Sequence, residues 1–375
     1  MRKQYTWIAL CAMLAAGTAA AADVTLYGIV DEGLIFTRVD KKDGNGSVNS
    51  LSMGSGVSRG SRWGIKGEED LGDGLKVGFV LESGMDVDSG KFTAAAGANR
   101  IFGREAELYV SGRYGMLAAG RLEHLTAGFG SWGIAARNIS PFAHGWAAGY
   151  IGGYKTVFGF NSGRIDNAIA YKSPTFGGVT LYGSYSSKTN EDASGVENKS
   201  SSDRYGGLAA TWKVGQLMTF ASVETIKWSN TAATTKEADD ALAVTIGGNY
   251  AFGFGRVFLA GQYFDNVTGL PTPYEIVRLK KGADILTKGW GIQAGTMFNA
   301  LAGTFRGTIG YRDAELVNDS DYTAKRYSLS LSYQYPLSKR TYIFTGANYT
   351  RDKLKMAEST KPQALTVTAG LSTSF

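Results

Sequence analysis

The sequence predicts an all-β chain, a 16-stranded antiparallel transmembrane β-barrel with an inward-folded third outer loop. Three observations predict it. Segments of alternating polarity recur from Val24 to Phe375. Glycine is abundant at 51 residues, proline scarce at 6, and Tyr and Phe frequent at 20 and 18. Brief turns alternate with long polar connections, as in a barrel with plain turns on one rim and larger loops on the other.

The N-terminus reads as an export signal over residues 1–22. Arg2 and Lys3 form a basic start, Trp7 to Leu14 an apolar core, and Ala20-Ala21-Ala22 a small-residue cleavage site. The apolar run is shorter than the roughly 20 residues of a membrane helix. Leu10 ahead of Cys11 argues against a lipoprotein signal. Cleavage after Ala22 leaves a barrel domain over residues 23–375. Cys11 is the only cysteine, so an exported chain without it is held by packing and ladder hydrogen bonds alone. Of 39 basic residues two lie in the signal, leaving 37 against 33 acids, or +4. That dispersed charge gives no basic face for nucleic acid.

The strands follow in order. Val24 to Asp31 places apolar groups at even numbers, opposite Thr25, Tyr27 and Asp31. Residues 39–56 are Gly, Asn, Ser and charge, and read as a loop. In the next strand Trp63 and Ile65 share one face, with Arg62, Lys66 and Glu68 on the other. Leu71-Gly72-Asp73-Gly74 is a tight turn, after which Leu75, Val77, Phe79 and Leu81 alternate with Lys76 and Glu82. Toward the C-terminus Phe305, Ile309 and Tyr311 stand against Arg306, Thr308 and Arg312, and Tyr327 to Tyr335 against Ser328 to Gln334. The last strand sets Leu365, Val367, Ala369, Leu371 and Phe375 against Thr366, Thr368, Ser372 and Ser374. Between Thr211 and Trp228 apolar residues occupy both faces and the pattern is least clear.

Alternation means one wet face and one dry face. A secreted β-sandwich adhesin also alternates, and it is the alternative of another class. The membrane reading is favoured by strands near the length a tilted strand needs to cross. Aromatics toward strand ends and short turns at Leu71–Gly74, Pro174–Gly178 and Pro336–Arg340 favour it too. Long loops are expected near 39–56, 84–99, 122–162, 187–203, 229–240, 266–288, 313–325 and 352–363. Eight loops on one rim imply sixteen strands. Lipid offers no partner for backbone N–H and C=O groups, so the sheet must close. A barrel of this size encloses a water-filled channel.

The segment 122–162 is too long for an ordinary connection, and such loops are usually functional. Between His124 and Ile165 it holds no Asp or Glu, while Arg137, Lys155 and Arg164 carry positive charge. It is expected to fold inward and narrow the channel.

Ser61 through Lys76 (SRWGIKGEEDLGDGLK) resembles general-diffusion porins of the Gram-negative outer membrane, most nearly the beta-proteobacterial type. Val24 to Asp31, Phe102 to Arg121, Arg164 to Gly178, Leu337 to Thr341 and the terminal Phe375 extend the likeness over the mature chain. The resemblance implies that the third loop faces a cluster of wall arginines, here Arg62, Arg104 and Arg164, and that three barrels form a homotrimer. It also implies that Phe375 is the signal read by the outer-membrane assembly machinery. One departure stands out. Many relatives carry acids and a Pro-Glu-Phe-Gly-Gly-like stretch in the loop; here that stretch is absent, and the loop has no carboxylate after Glu123.

A positive constriction favours anions. Arg62, Arg104 and Arg164 are expected on the lumen wall, with Arg137 and Lys155 contributing from the loop. Asp31, Glu68, Glu82 and Asp166 are the expected lumen acids, acting against that preference. If Arg104 faces the lumen, strict alternation turns Glu105 and Glu107 outward, toward a second subunit where Arg121 or Arg113 could pair with them. Asp86-Val87-Asp88-Ser89-Gly90 is only a fragment of a calcium loop. His124 and His144 have no cysteine or carboxylate cluster beside them, and no catalytic, metal or cofactor motif is present. The expected role is therefore not that of an enzyme. It is passive diffusion of small hydrophilic solutes and ions across the cell outer membrane, among its lipids, with anion preference. A substrate-specific channel using Trp146, Tyr150 and Tyr154 as aromatic rungs is the second reading.

Overall fold

The computed structural model describes residues 23–42, 44, 46–93, 100–143, 145–147, 151–160, 163–231, 238–268, 286–355 and 359–375, without the side chains of Ala136 and Lys155. The expected signal segment 1–22, His144 and Tyr150 lie outside the described residues.

Alternation becomes one antiparallel sheet. Its first strand, β1 (Asp23–Asp40), is followed by β2 (Ser47–Ser55), β3 (Arg62–Gly72), β4 (Leu75–Gly84), β5 (Glu105–Gly112) and β6 (Gly115–Glu123). A long connection then carries a short helix, α1 (Ala135–Ile139), and a single 3-10 turn (Tyr154–Thr156). The chain continues through β7 (Arg164–Lys172), β8 (Val179–Ser186), β9 (Arg204–Val214), β10 (Leu217–Lys227), β11 (Ala241–Phe252) and β12 (Gly255–Thr268). It ends with β13 (Leu286–Ala300), β14 (Gly303–Leu316), β15 (Thr323–Pro336), β16 (Thr341–Lys355) and β17 (Gln363–Ser374).

Each strand pairs with its neighbours, and β1 closes on β17 from Ile29↔Ser374 to Asp40↔Gln363. Closure leaves no edge, which a bilayer would penalise by several kcal/mol per unpaired group. On its other side β1 pairs with β3 over Asp23–Ile29 and with β2 over Glu32–Asp40. Thus β2 and β3 fill one strand position, and the 17-stranded sheet is a 16-position barrel. The break is tied down by Asp31, which accepts the Ser58 N–H at 3.0 Å, the Ser58 hydroxyl at 2.5 Å and the Arg59 N–H at 3.2 Å. This corrects the reading of 39–56 as a loop. Ser and Asn weaken a strand signature, but the ladder to β1 overrides weak propensity. The expected 313–325 loop likewise shrinks to the stretch between Leu316 and Thr323. The turns at 71–74, 174–178 and 336–340 are where they were expected, and the unclear stretch resolves into β9 and β10.

The two faces differ as alternation requires. Leu208, Leu259, Ile309 and Leu331 stand 70%, 59%, 61% and 60% exposed on one face, the surface lipid covers. Their opposite-parity neighbours Ala209, Ala260, Thr308 and Ser330 are buried. The long connection between β6 and β7 accounts for that burial. Its Leu125, Ile139, Tyr154, Val157 and Phe158 pack on Ala209, Phe220 and Ala260, and its Phe142, Trp146 and Ile151 pack with Val57 and Phe344. Two wall glycines permit the approach. A Cβ at Gly291 would stand 2.1 Å from the Val157 carbonyl oxygen, and one at Gly346 3.2 Å from the Trp146 ring.

Candidate functional site

The connection is tied to the wall at successive strands. Thr126 N–H donates to Glu224 Oε1 at 3.1 Å. Asn249 Nδ2 donates to Asn138 O at 2.8 Å, and Gln262 brackets Phe160, accepting its N–H at 2.9 Å and donating to its carbonyl at 2.5 Å. Gly152 N–H donates to Ser330 Oγ at 2.7 Å. Arg312 and Arg326 both donate to Thr156 O, at 3.4 and 3.5 Å. Each fixes an irregular backbone group that would otherwise be buried without a partner.

Across from these ties lie the three expected arginines, and the fold gathers them. Arg104 Nε is 2.6 Å and Arg62 Nη1 3.5 Å from the same Glu82 oxygen. Arg164 Nε donates to the Arg104 carbonyl at 2.5 Å, and its guanidinium lies 4.1 Å from the Phe129 ring centroid on the connection. Tyr27 OH donates to the other Glu82 oxygen at 3.1 Å. Side-chain exposure ranks the groups: 16% for Arg62 and 12% for Arg104, against 7% for Glu82. Arg137 is exposed and donates to Gly130 O at 2.9 Å. The Lys155 side chain lies outside the described residues.

Glu105 and Glu107 correct the sequence reading. Glu105 stands opposite Glu82, and Glu107 opposite Val80, so both share the face of Glu82 and Arg62. They are buried and hold the connection: Glu105 accepts the Ser131 N–H at 3.2 Å and Glu107 the Trp132 indole N–H at 2.7 Å. Alternation misled because β5 begins at Glu105, and Arg104 lies in the irregular stretch before it, outside the period-two count. Both therefore face the connection and not the outer surface. Arg121, their supposed partner, stands opposite Ala106 and pairs with Asp166 instead.

The other acids divide. Asp166, expected as a lumen acid, is held by Arg121, by Arg100 at 2.7 Å and by the Glu191 N–H at 2.7 Å. Asp31 is consumed by the β2–β3 break. Glu68 pairs with Lys76 at 2.5 Å and accepts from Tyr109 OH at 3.1 Å. Glu123, fully buried, accepts the Trp132 N–H at 3.4 Å. Aromatic rungs are not formed by Trp146 and Tyr154, which are 5% and 0% exposed. His124, just beyond β6, is sandwiched between Phe160 and Tyr205 at 5.2 and 4.5 Å, and burial lowers its pKa to about 4. The fragment at 86–90 forms a turn in which the Gly90 N–H donates to Asp86 O, and no metal-ligand cluster occurs among the described residues.

Sequence reasoning missed Glu224, Gln262, Ser330 and the buried trio Arg312, Arg326 and Asp352. Arg326 grips Asp352 with two bonds, at 2.7 and 2.6 Å. The two stand directly opposite on β15 and β16, so a search for facing opposite charges could have found them.

A closed barrel with a greasy outer belt and a long connection bound to its polar face defines a transmembrane channel. The chain belongs to the Gram-negative porin family, whose sequence profile matches residues 6–354. It is 29% identical to an outer membrane porin protein of Bordetella pertussis over 94% of this chain and 95% of that one. To outer membrane porin protein 32 of Delftia acidovorans the identity is 28%, covering 92% and 89%. The fold superposes on an anion-selective porin from Comamonas acidovorans with a TM-score of 0.67 at 22% identity, over 94% of this chain and 100% of that one. This chain is an outer-membrane porin, a passive diffusion channel for small hydrophilic solutes and ions.

Proposed function

We propose that the channel prefers anions and that residues 122–162 form its constriction. One observation carries the preference: among the described residues, Arg62 and Arg104 keep more side-chain exposure than the Glu82 they share, while the neighbouring acids are covered. Glu82, Glu105, Glu107 and Glu123 are all buried, and three of them accept hydrogen bonds from the connection itself. The connection adds Arg137 and no carboxylate between His124 and Ile165. A small anion meets Arg62 and Arg104 first, and a positive lining in a low-dielectric channel concentrates it. Passage is downhill and involves no chemistry. The anion selectivity of the Comamonas porin, named for that protein, agrees with this reading.

The same reading takes residues 1–22 as a cleaved export signal, three barrels as the working unit, and Phe375 as the assembly signal. Phe375 also closes a last rung, exchanging backbone hydrogen bonds with Gly28 at 3.3 and 3.1 Å. Reversal potentials of single channels under a potassium chloride gradient test the preference. Wild type is expected to give a chloride-selective sign, and Arg62→Ala and Arg104→Ala to move it toward zero. A cation-selective wild type overturns the proposal.

A further inference from the structure

We propose that the outer face of β13–β16, at the rim bearing the long loops, binds the phosphorylated headgroup of an outer-leaflet lipid. The inference goes beyond conduction and rests on the outer-membrane placement given above.

The registers order this face into ranks. Ala294, Ile309, Leu329 and Tyr349 lie side by side across four strands. One step toward the loops come Ile292, Tyr311, Tyr327 and Arg351, then Trp290, Asp313, Lys325 and Lys353, then Lys288, Glu315, Thr323 and Lys355. Apolar surface thus gives way to rings and then to charge within a few residues. The rings touch, with centroids 5.3 Å apart for Trp290–Tyr311 and 5.1 Å for Tyr311–Tyr327. Such a girdle marks headgroup depth.

Three acids beside it are already paired. Asp313 is held by Lys325 at 2.7 Å and by Tyr311 OH at 3.1 Å. Glu315 lies 3.3 Å from Lys288, and Asp321 3.0 Å from Lys355. Arg351 and Lys353 have no carboxylate partner among the described residues. They project from one face of β16 two positions apart, both exposed, with the Lys353 ammonium 5.3 Å over the Tyr327 ring. A guanidinium and an ammonium at this spacing suit one phosphate, the first by a two-pronged hydrogen bond and the second as a point charge. The acyl chains of the same lipid would run down the exposed Leu329 and Leu331.

The test is native mass spectrometry of the intact protein in mild detergent doped with phosphatidylglycerol, with phosphatidylcholine as the zwitterionic control. Wild type is expected to retain the anionic lipid preferentially, and Arg351→Gln/Lys353→Gln to lose that preference by roughly tenfold. Free inorganic phosphate at millimolar concentration should displace little, because the acyl contacts remain. Single-channel conductance of the double variant should equal wild type, since neither residue faces the lumen. That control separates a failed lipid site from a failed channel reading. Equal lipid retention by wild type and variant overturns the proposal. So does dissociation of the variant into monomers under conditions that keep wild type associated, which would assign the face to a neighbouring subunit.

Discussion

Glu224 on β10 accepts the backbone N–H of Thr126, 98 residues earlier in the chain, at 3.1 Å, and so roots the long connection on the far wall. The same carboxylate accepts from Tyr205 OH at 2.8 Å and Ser222 Oγ at 3.1 Å. Glu224→Ala leaves buried donors unpaired and should lower the stability of the detergent-solubilised barrel by about 1–3 kcal/mol. Thermal unfolding measures this, and noisier open-channel current should accompany it. Glu224→Gln, which keeps an acceptor, should cost less.

Gly291 carries no side chain because the Val157 carbonyl occupies that space. Gly291→Ala must push the connection off β13 and should cost about 1–3 kcal/mol. Larger single-channel conductance and faster proteolysis within residues 122–162 are the expected readouts. Unchanged values on both would show that the connection does not lean on this strand.

Glu82 partly neutralises Arg62 and Arg104. Glu82→Gln should raise the anion-to-cation permeability ratio, read from reversal potentials, while destabilising the barrel by up to about 3 kcal/mol because two guanidiniums lose their shared acid. A lowered ratio would mean that those arginines do not face the conducting path.

His124 makes the root of the connection sensitive to acid. Its ordinary pKa of 6.5 falls to about 4 on burial between Phe160 and Tyr205. The unfolded state therefore binds the proton more readily. The stabilisation is complete above pH 6.5 and is lost as pH falls through about 4, amounting to about 3 kcal/mol in all. Unfolding followed from neutral to acid pH should show this slope in wild type and a weaker one in His124→Phe.

Legibility followed periodicity. Tyr327 to Tyr335 and Leu365 to Phe375 could be assigned a face from sequence because a strand side chain has only two directions to choose between. The same rule placed Arg62 beside the lumen. It failed at Glu105, where one irregular residue reset the count, and at 39–56, where Ser and Asn concealed β2. The Glu224 anchor was hidden because β10 mixes apolar and polar groups on both sides of its pattern.

By itself the sequence determined the barrel, its polarity, the absence of acid from the long connection and the side on which Arg62 stands. Those are local properties, set by composition and by alternation along each strand, whereas Arg104 and Arg164 were named beside Arg62 only through the resemblance to porins. Only the tertiary structure decided which carboxylates are spent and on what. Asp31 went to a broken strand, Asp166 to Arg100 and Arg121, and Glu105, Glu107 and Glu224 to the connection. Each outcome depends on backbone N–H groups and guanidiniums brought near from distant parts of the chain, and no local pattern records which of them arrive.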